Sequence, residues 1–241
     1  MLKKELIILQ AIVLAFFCSC SKWDGDFITQ EFSVNGIYTE LEVEDAFDVT
    51  VSDEVSLISI TAGDRIMSKV KVEMNDNKLK IYLKEWTICY GTMKVTLPYN
   101  PDLVKVDLSG SSSFHSLFPM KGQKVDLELS GASDFFGSVE VDKLKLDMSG
   151  SSNATIDGVV RILDMDISGS SDLVQKIVGN HYTLVCDQCK CSMSGSSNAY
   201  IHCNNSISGS LSGSSTLYYT GNAATSNCST SGGSSIIHDI L

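Results

Sequence analysis

A Ser-Gly pair that recurs at a nearly constant spacing constrains the fold of this chain more than any other feature. The pair occurs seven times, in LSGSSS, LSGASD, MSGSSN, ISGSSD, MSGSSN, LSGSST and TSGGSS. The intervals between copies are 21, 19, 19, 26, 18 and 19 residues, counted between the first serines Ser109, Ser130, Ser149, Ser168, Ser194, Ser212 and Ser231. A fixed period of this kind indicates a stack of similar structural units.

Each unit has the pattern of two β-strands joined by a corner. Apolar residues stand one and three positions before the first serine, with a polar residue between them, as in Leu146, Asp147 and Met148. Alternation with a period of two is typical of a strand that buries one face, and a glycine at a fixed place favours a tight corner. The units are too short for propeller blades and have no helical period. We therefore predict an all-β fold, a parallel β-solenoid (β-helix) of about seven coils of ~19 residues.

The sequence before the repeats also alternates but lacks the Ser-Gly period, in stretches such as VNGIYTELEVEDAFDVTV and VKVEMNDNKLKIYL. We expect irregular β-strands there that lead into the solenoid and cover its first coil, because a bare end would expose an unpaired strand edge. The predicted segments are a lipoprotein signal peptide (1–19), a tether (20–32), an N-terminal β region or cap (33–100) and the solenoid repeats (101–241), with 33–241 forming one continuous domain.

The N-terminus has the composition of an export signal. Two lysines precede an apolar run from Leu6 to Phe17 that only Gln10 interrupts. This run is too short to span the ~30 Å hydrocarbon core of a bilayer as a helix, but it suits a secretory signal peptide. Ser19 and Cys20 then resemble a bacterial lipobox, so Cys20 is the predicted lipid attachment site, and an ordinary signal peptide with incidental cysteines is the alternative. We predict an outer-membrane lipoprotein of the bacterial cell envelope, bound to the membrane by its lipid and facing either the periplasm or the exterior.

The net charge and the glycine-rich motifs argue against two classes of partner. The chain has 18 Lys and Arg residues against 29 Asp and Glu residues, a net charge of −11. Nucleic-acid binding requires clustered positive charge, so we expect no nucleic-acid partner. The Ser-Gly motifs do not have the context of phosphate-binding loops, because no strand-to-helix transition follows them, and we expect no cofactor.

A polar column after the corners contains candidate site residues. Its members on successive coils include Asp134, Asn153, Asp172 and Asn198. Asp134 and Asp172 lie two coils apart, or ~9.6 Å, near the ~6.5–9.5 Å that separates the carboxylates of inverting glycosidases. A site of that kind would also need a basic or imidazole side chain nearby, and none is evident. We therefore favour a polar ladder in which these side chains hydrogen bond to the backbone at each corner, and we predict no catalytic residue.

A second column consists of stacked carboxylates. It occupies the polar position between the two apolar residues of successive coils and contains Asp107, Glu128, Asp147 and Asp166. Like charges ~4.8 Å apart repel one another, but the residues two positions earlier alternate between lysine and aspartate and offset much of this repulsion. A solvated charged face is the favoured interpretation, and binding of a hard cation such as Ca²⁺ is the alternative.

Six cysteines follow Cys20, and their spacing leaves several roles open. They are Cys89, Cys186, Cys189, Cys191, Cys203 and Cys228. Cys186, Cys189 and Cys191 fall in the longest repeat interval, where we expect an inserted loop. In an oxidising envelope a disulfide from this loop is favoured over zinc, which takes four ligands, and no βαβ pattern supports a redox motif. Cys191 and Cys228 lie two coils apart in the inward column, so we expect buried apolar side chains rather than a bonded pair.

These motifs together resemble one protein family. The opening VNGIYTELEVEDAFDVTV, the alternating VKVEMNDNKLKIYL and the repeated Ser-Gly-Ser-Ser followed by Asp or Asn are similar to the head GIN domain, an auto-transporter adhesin family found in lipoproteins of Bacteroidetes. The resemblance covers residues 32–241, nearly all of the mature chain. It implies a solenoid fold, a location in the cell envelope and an adhesin-like role, and it brings no catalytic residues.

We therefore expect a lipid-anchored module that binds a glycan or a protein through its polar columns. The alternative is a polysaccharide-degrading enzyme, a pectinase-like hydrolase or lyase, which rests only on the aspartates and on analogy with other solenoids. The chain ends in SIIHDIL at its last coil, without an obvious polar cap. Because an uncapped strand edge favours pairing, we also expect a homo-oligomer formed through this end.

Overall fold

The computed structural model of the chain describes residues 25–34, 36–84, 91–174, 177–179 and 181–240. Strands account for most of this part and helix for only four residues, which confirms the prediction of an all-β chain. No helix within these ranges is long and apolar enough to cross a membrane.

The strands form an irregular N-terminal group and a C-terminal group with the repeat period. The N-terminal elements are β1 (Phe27–Phe32), β2 (Glu40–Val43), β3 (Phe47–Ser52), β4 (Ile58–Gly63), α1 (Asp64–Met67), β5 (Val70–Asn75), β6 (Lys78–Leu83) and β7 (Met93–Pro98). The C-terminal elements are β8 (Lys105–Leu108), β9 (Ser113–Leu129), β10 (Asp134–Met148), β11 (Asn153–Ile167), β12 (Asp172–Leu173), β13 (Ile177–Val178), β14 (His181–Tyr182), β15 (Leu184–Met193), β16 (Asn198–Leu211), β17 (Thr216–Thr220), β18 (Ala224–Thr230) and β19 (Ser235–His238). All of these strands except β13 and β14, which pair with each other, belong to one sheet of 17 strands.

The repeat sets the register between neighbouring strands. Leu127 of β9 pairs in parallel with Leu146 of β10, which pairs with Met165 of β11. Met165 pairs in turn with Cys191 of β15. All four residues stand three positions before the first serine of their repeat, and all four are buried. One repeat therefore forms one layer of the stack, called a rung below, and equivalent side chains lie on one another in the core.

The sheet is mixed rather than wholly parallel. Strand β4 pairs antiparallel with both β1 and β7, and β5 pairs antiparallel with β6. Antiparallel neighbours can be joined by short turns, and Asp76, with a φ of 53°, lies in the turn between β5 and β6. The prediction of a parallel β-solenoid of about seven coils is therefore too simple for this sheet, because it omitted the antiparallel pairs of the N-terminal region.

Strands β2 and β3 form a further rung although they lack the Ser-Gly pair. β2 pairs in parallel with β8 on one side and β6 on the other, and β3 pairs likewise with β9 and β7. Asp45 lies at the corner with a φ of 71°, and its carbonyl oxygen is 2.3 Å from the position of a Cβ added to Gly110. Asp45 thus takes the place that glycine holds in the repeats. The N-terminal β region is part of the stack as well as its cover.

A serine three residues after the first serine stabilises corners of the repeats. The hydroxyl of Ser133 donates to the carbonyl oxygen of Ser130 at 2.9 Å, and that of Ser215 donates to the carbonyl oxygen of Ser212 at 2.9 Å. Six of these serines are fully buried: Ser112, Ser133, Ser152, Ser171, Ser197 and Ser215. A buried hydroxyl is destabilising unless it is hydrogen bonded, and the fixed spacing of the two serines supplies the acceptor.

An ion-pair network between β2 and β6 affects stability at acidic pH. The carboxylate of Glu42 accepts hydrogen bonds from the Nζ atoms of Lys78 and Lys80, both at 2.7 Å. Burial alone would raise the pKa of Glu42, but the two lysines outweigh it and lower this pKa from 4.5 to about 2. Because the folded-state pKa is lowered, the stabilisation is present above pH 4.5 and is lost as the pH falls towards 2.

We expect Glu42→Gln to lower the free energy of unfolding by about 1 kcal/mol at neutral pH, since the pair is partly exposed, and to have little effect near pH 2. Urea unfolding of both proteins at neutral pH, at pH 4.5 and near pH 2 measures the difference in their free energies of unfolding. The control is Glu54→Gln, which changes an exposed carboxylate outside the network. A loss that is the same at every pH would contradict the role of the Glu42 charge.

Candidate ligand-binding face

The polar column predicted after the corners is continuous along the stack. Its members pair in parallel register from rung to rung and are Asp48, Ser113, Asp134, Asn153, Asp172, Asn198, Thr216 and Ser235. Successive side chains of a strand point to opposite faces, so this column lies outside the core, and each member is at least partly exposed. The column brings together residues that are up to 187 positions apart in sequence, from Asp48 to Ser235.

Hydrogen bonds link the four predicted residues of this column in pairs. Nδ2 of Asn153 donates to Oδ1 of Asp134 at 2.9 Å. Asn198 donates to Oδ1 of Asp172 through both its Nδ2 and its backbone N–H, each at 2.9 Å. Each aspartate therefore has an asparagine partner on the next rung, and the bond that Asp172 accepts from the Asn198 backbone is of the kind expected for this column. These contacts fix the orientation of amide and carboxylate groups at the surface.

An aromatic column that the sequence analysis did not identify lies beside the polar column. His115 and Phe136 stack with their ring centroids 6.0 Å apart, and Tyr200 and Tyr218 stack at 4.7 Å with their planes 5° apart. All four residues stand six positions after the first serine of their repeat. That constant offset places them in one column, but the column also contains Thr155, which pairs with Phe136 on the next rung, so the offset alone does not predict an aromatic residue. The polar column and this aromatic column together are called the ladder face below.

A broad depression of about 590 Å³ lies at one end of the ladder face. Its lining includes Asp48, Ser113, His115 and Asp134. Ser113 donates to the carboxylate of Asp48 at 2.7 Å, which holds both groups in place. Carboxylates, a hydroxyl and an imidazole therefore surround a space next to aromatic surface. Such a combination can orient a polar ligand and cover its apolar side.

Tyr182, in the inserted segment between β12 and β15, packs against the other end of the ladder face. The ring of Tyr182 packs edge-on against Tyr200, with centroids 5.5 Å apart, and its hydroxyl donates to Asp239. Tyr182 is only 1% exposed, and burial together with the Asp239 carboxylate raises its pKa. The Tyr182 contact therefore lies at β16, away from the part of the ladder face on β9, β10 and β11.

The predicted acidic stack lies on the strands that precede the corners. Its members pair from rung to rung and line a shallow depression of about 540 Å³: Asp107, Glu128, Asp147 and Asp166. Lysines approach these carboxylates, as in the 2.8 Å pair of Lys105 with Glu128. Burial is the main reason that the pKa of Asp107 is raised, and the charge of Glu128 adds to it. Among the described residues, no group of three or more His, Cys, Asp or Glu side chains is arranged to hold a metal ion.

The five cysteines within the described ranges are free thiols. Four of them are buried and the fifth is partly buried: Cys186, Cys189, Cys191, Cys203 and, partly, Cys228. Cys191 pairs with Gly209, which pairs with Cys228, so the first and last of these residues lie two rungs apart. Cys89 and the predicted lipid attachment site Cys20 lie outside the described residues.

The C-terminal end of the stack has an unpaired edge. Within the described ranges β18 pairs only with β16, and β19 pairs only with β17. Two apolar side chains near this edge, Ile237 and Ile240, are 37% and 94% exposed. Exposed strand backbone of this kind is a template for pairing with another chain.

Comparison with known proteins agrees with this architecture. Residues 37–223 match a family model described as "Putative auto-transporter adhesin, head GIN domain". A "putative adhesin" structure from Bacteroides fragilis is 17% identical, with a TM-score of 0.73 over 88% of this chain and 96% of that chain. A "putative lipid binding protein" structure from Parabacteroides distasonis is 19% identical, with a TM-score of 0.66 over 89% of this chain and 98% of that chain. No curated protein matches the chain. At these identities the solved structures show a shared fold.

Proposed function

This chain belongs to the auto-transporter adhesin family with the head GIN domain, and we propose that it is a lipid-anchored β-solenoid of the cell envelope that binds a neutral glycan through its ladder face. The observation that carries the proposal is the close parallel course of a polar column and an aromatic column on one surface. The polar column continues from rung to rung at ~4.8 Å, and aromatic rings stand beside it as two stacked pairs, His115 with Phe136 and Tyr200 with Tyr218. A surface with a repeated pattern of this kind suits a ligand that is itself a repeating polymer.

The chemistry of the two columns matches that of a sugar. A sugar ring has hydroxyl groups around its edge and apolar C–H groups on its faces. The rings of His115 and Phe136 offer surfaces that can cover such a face, and the fixed Asp134 and Asn153 side chains can exchange hydrogen bonds with hydroxyls. The net charge of −11 disfavours acidic glycans, which is why we propose a neutral one.

The two ends of the chain complete the proposal. A lipid on Cys20 would be separated from Gly25, the first described residue, by only four residues. Since an extended chain spans at most ~3.6 Å per residue, the stack would stand within ~18 Å of the lipid-bearing residue. At the opposite end, the edges of β18 and β19 would pair with a second copy of the chain. The lipid would keep the ladder face beside the membrane, and the pairing would place two ladder faces in one assembly.

We expect the double variant His115→Ala/Phe136→Ala of the full chain to bind its glycan at least about 10-fold more weakly, because aromatic anchors of an interface commonly contribute more than 1 kcal/mol each. A glycan array with the unchanged chain identifies the sugar, and calorimetry then compares the variants. The control is Val159→Ala, which removes a 62% exposed apolar side chain of β11 outside the ladder face. Equal weakening by the control, or an array on which the unchanged chain binds nothing, would overturn the proposal.

A further inference from the structure

We propose that Cys186 and Cys203 form a disulfide between neighbouring rungs when the chain folds in an oxidising compartment. The two residues pair directly in the parallel register of β15 and β16. Both side chains point into the core, and both are 0% exposed. The inference is independent of the proposed glycan binding, because it concerns the core rather than the ladder face.

The spacing of the pair suits a disulfide. Paired residues of neighbouring strands lie ~4.8 Å apart, within the range of about 4.4–6.8 Å that separates the Cα atoms of bonded cysteines. Cys203 Sγ lies 3.6 Å from the carbonyl oxygen of Asp187, the residue that follows Cys186. The hydrogen bond with Cys203, together with burial, raises the pKa of Cys186, and the same hydrogen bond lowers the pKa of Cys203.

The other described cysteines are less well placed. Cys189 and Cys191 stand two residues apart on one extended strand, which puts their Cα atoms at ~6.6 Å, near the upper limit for a disulfide. Cys191 and Cys228 lie two rungs apart with Gly209 between them, or ~9.6 Å, which is beyond that limit. The direct pair on adjacent rungs is therefore the pair that joins two rungs at a Cα spacing within the disulfide range.

The bond would form at an irregular point of the stack. The register of β15 and β16 shifts between Cys186 and Gln188, and the rung of β15 is the one that contains the inserted segment. A covalent link between these two rungs would hold the register where the repeat is least regular. It would close a loop from residue 186 to residue 203 and so reduce the entropy of the unfolded chain.

The chemistry requires an oxidant that carries a disulfide, such as oxidised glutathione or a thiol oxidase. The Cys203 thiolate attacks one sulfur of that disulfide and releases the other as a thiol. The Cys186 thiolate then attacks the mixed disulfide at the Cys203 sulfur and releases the second thiol. The protein thus loses two protons and two electrons, and the oxidant gains them. Because both cysteines are buried in the folded chain, the mixed disulfide forms before β16 has packed onto β15, and the second step follows as the two strands pair.

The test refolds the full chain with oxidised glutathione, blocks the remaining thiols and maps the peptides without reduction. Lys190 separates the two cysteines into different tryptic peptides, and we expect fragmentation to identify a Cys186–Cys203 link. Reductant should lower the Tm of the oxidised protein by about 6–12 °C. Cys203→Ala should abolish both the link and this shift, whereas Cys228→Ala should preserve them. Two blocked thiols at positions 186 and 203 after oxidative refolding, or a link that persists in Cys203→Ala, would overturn the proposal.

Discussion

Gly150→Ala is expected to lower the free energy of unfolding by about 3 kcal/mol or more. Gly150 has a φ of 78°, a left-handed conformation that costs other residues about 1–2 kcal/mol. The added Cβ would also lie 2.4 Å from the carbonyl oxygen of Gly131 on the neighbouring rung. That atom belongs to backbone that is hydrogen bonded between rungs, so only a separation of the two rungs can relieve the contact.

Gly179→Ala separates the two contributions to this loss. Gly179 has a φ of 65°, but a Cβ added there would meet no atom of the described residues within 4 Å. We therefore expect it to lose only the conformational part, about 1–2 kcal/mol. Urea unfolding monitored by circular dichroism compares both variants with the unchanged chain. If Gly150→Ala were no more destabilising than Gly179→Ala, the stacked corners would not be as close as the structure has them.

The stack of repeats could be predicted from the sequence because one steric requirement, a glycine at each Ser-Gly corner, governs it. Glycines such as Gly131 and Gly150 lie directly on one another at the corners, so their spacing reports the length of a rung. The rung of β2 and β3 escapes this rule because Asp45 accepts the same positive φ without being glycine. Its inward corner position is taken by a buried Phe47 instead of a serine. A search for Ser-Gly therefore starts one rung too late and misses the rung of β2 and β3.

The antiparallel pairs of the N-terminal region could not be predicted from alternation. A period of two reports that one face of a strand is buried, and it is the same for parallel and antiparallel neighbours. The strands β5 and β6 alternate as the repeats do, yet they pair antiparallel across the turn at Asp76. Strand direction depends on the length of the connection, which the alternating pattern does not encode.

The candidate site was predictable in position but not in its contacts. The column of Asp134, Asn153 and Asp172 follows from the repeat, whereas the pairing of each asparagine with the preceding aspartate depends on side-chain rotamers. The Cys186–Cys203 pair is harder to predict because the insertion changes the spacing between equivalent residues of β15 and β16. A further register shift follows directly after Cys186. Counting from the Ser-Gly pairs alone therefore does not align the two thiols.

Tyr182→Ala is expected to lower the free energy of unfolding by about 3–5 kcal/mol, the usual range for truncation of a buried aromatic side chain. Tyr182 is one of the largest fully buried side chains of the described chain. Its ring contacts Tyr200 of β16, and its hydroxyl binds Asp239 just after β19. One side chain thus connects the inserted segment to the last strand of the stack. Its loss should destabilise the C-terminal rungs more than those nearer the N-terminus.

Tyr182→Phe separates the packing of the ring from the hydrogen bond. It retains the contact with Tyr200 and removes only the bond to Asp239, for an expected loss of about 1 kcal/mol. Urea unfolding gives the loss in the free energy of unfolding for each variant. Hydrogen exchange of the amides of β17 and β19 shows whether these strands are the ones destabilised. Faster exchange in these strands for Tyr182→Ala, with little change in β9 and β10, is the expected result, because the contacts of Tyr182 reach only the C-terminal rungs. Equal losses for the two variants would mean that the ring contributes nothing beyond its hydroxyl, and the inserted segment would then not stabilise the end of the stack.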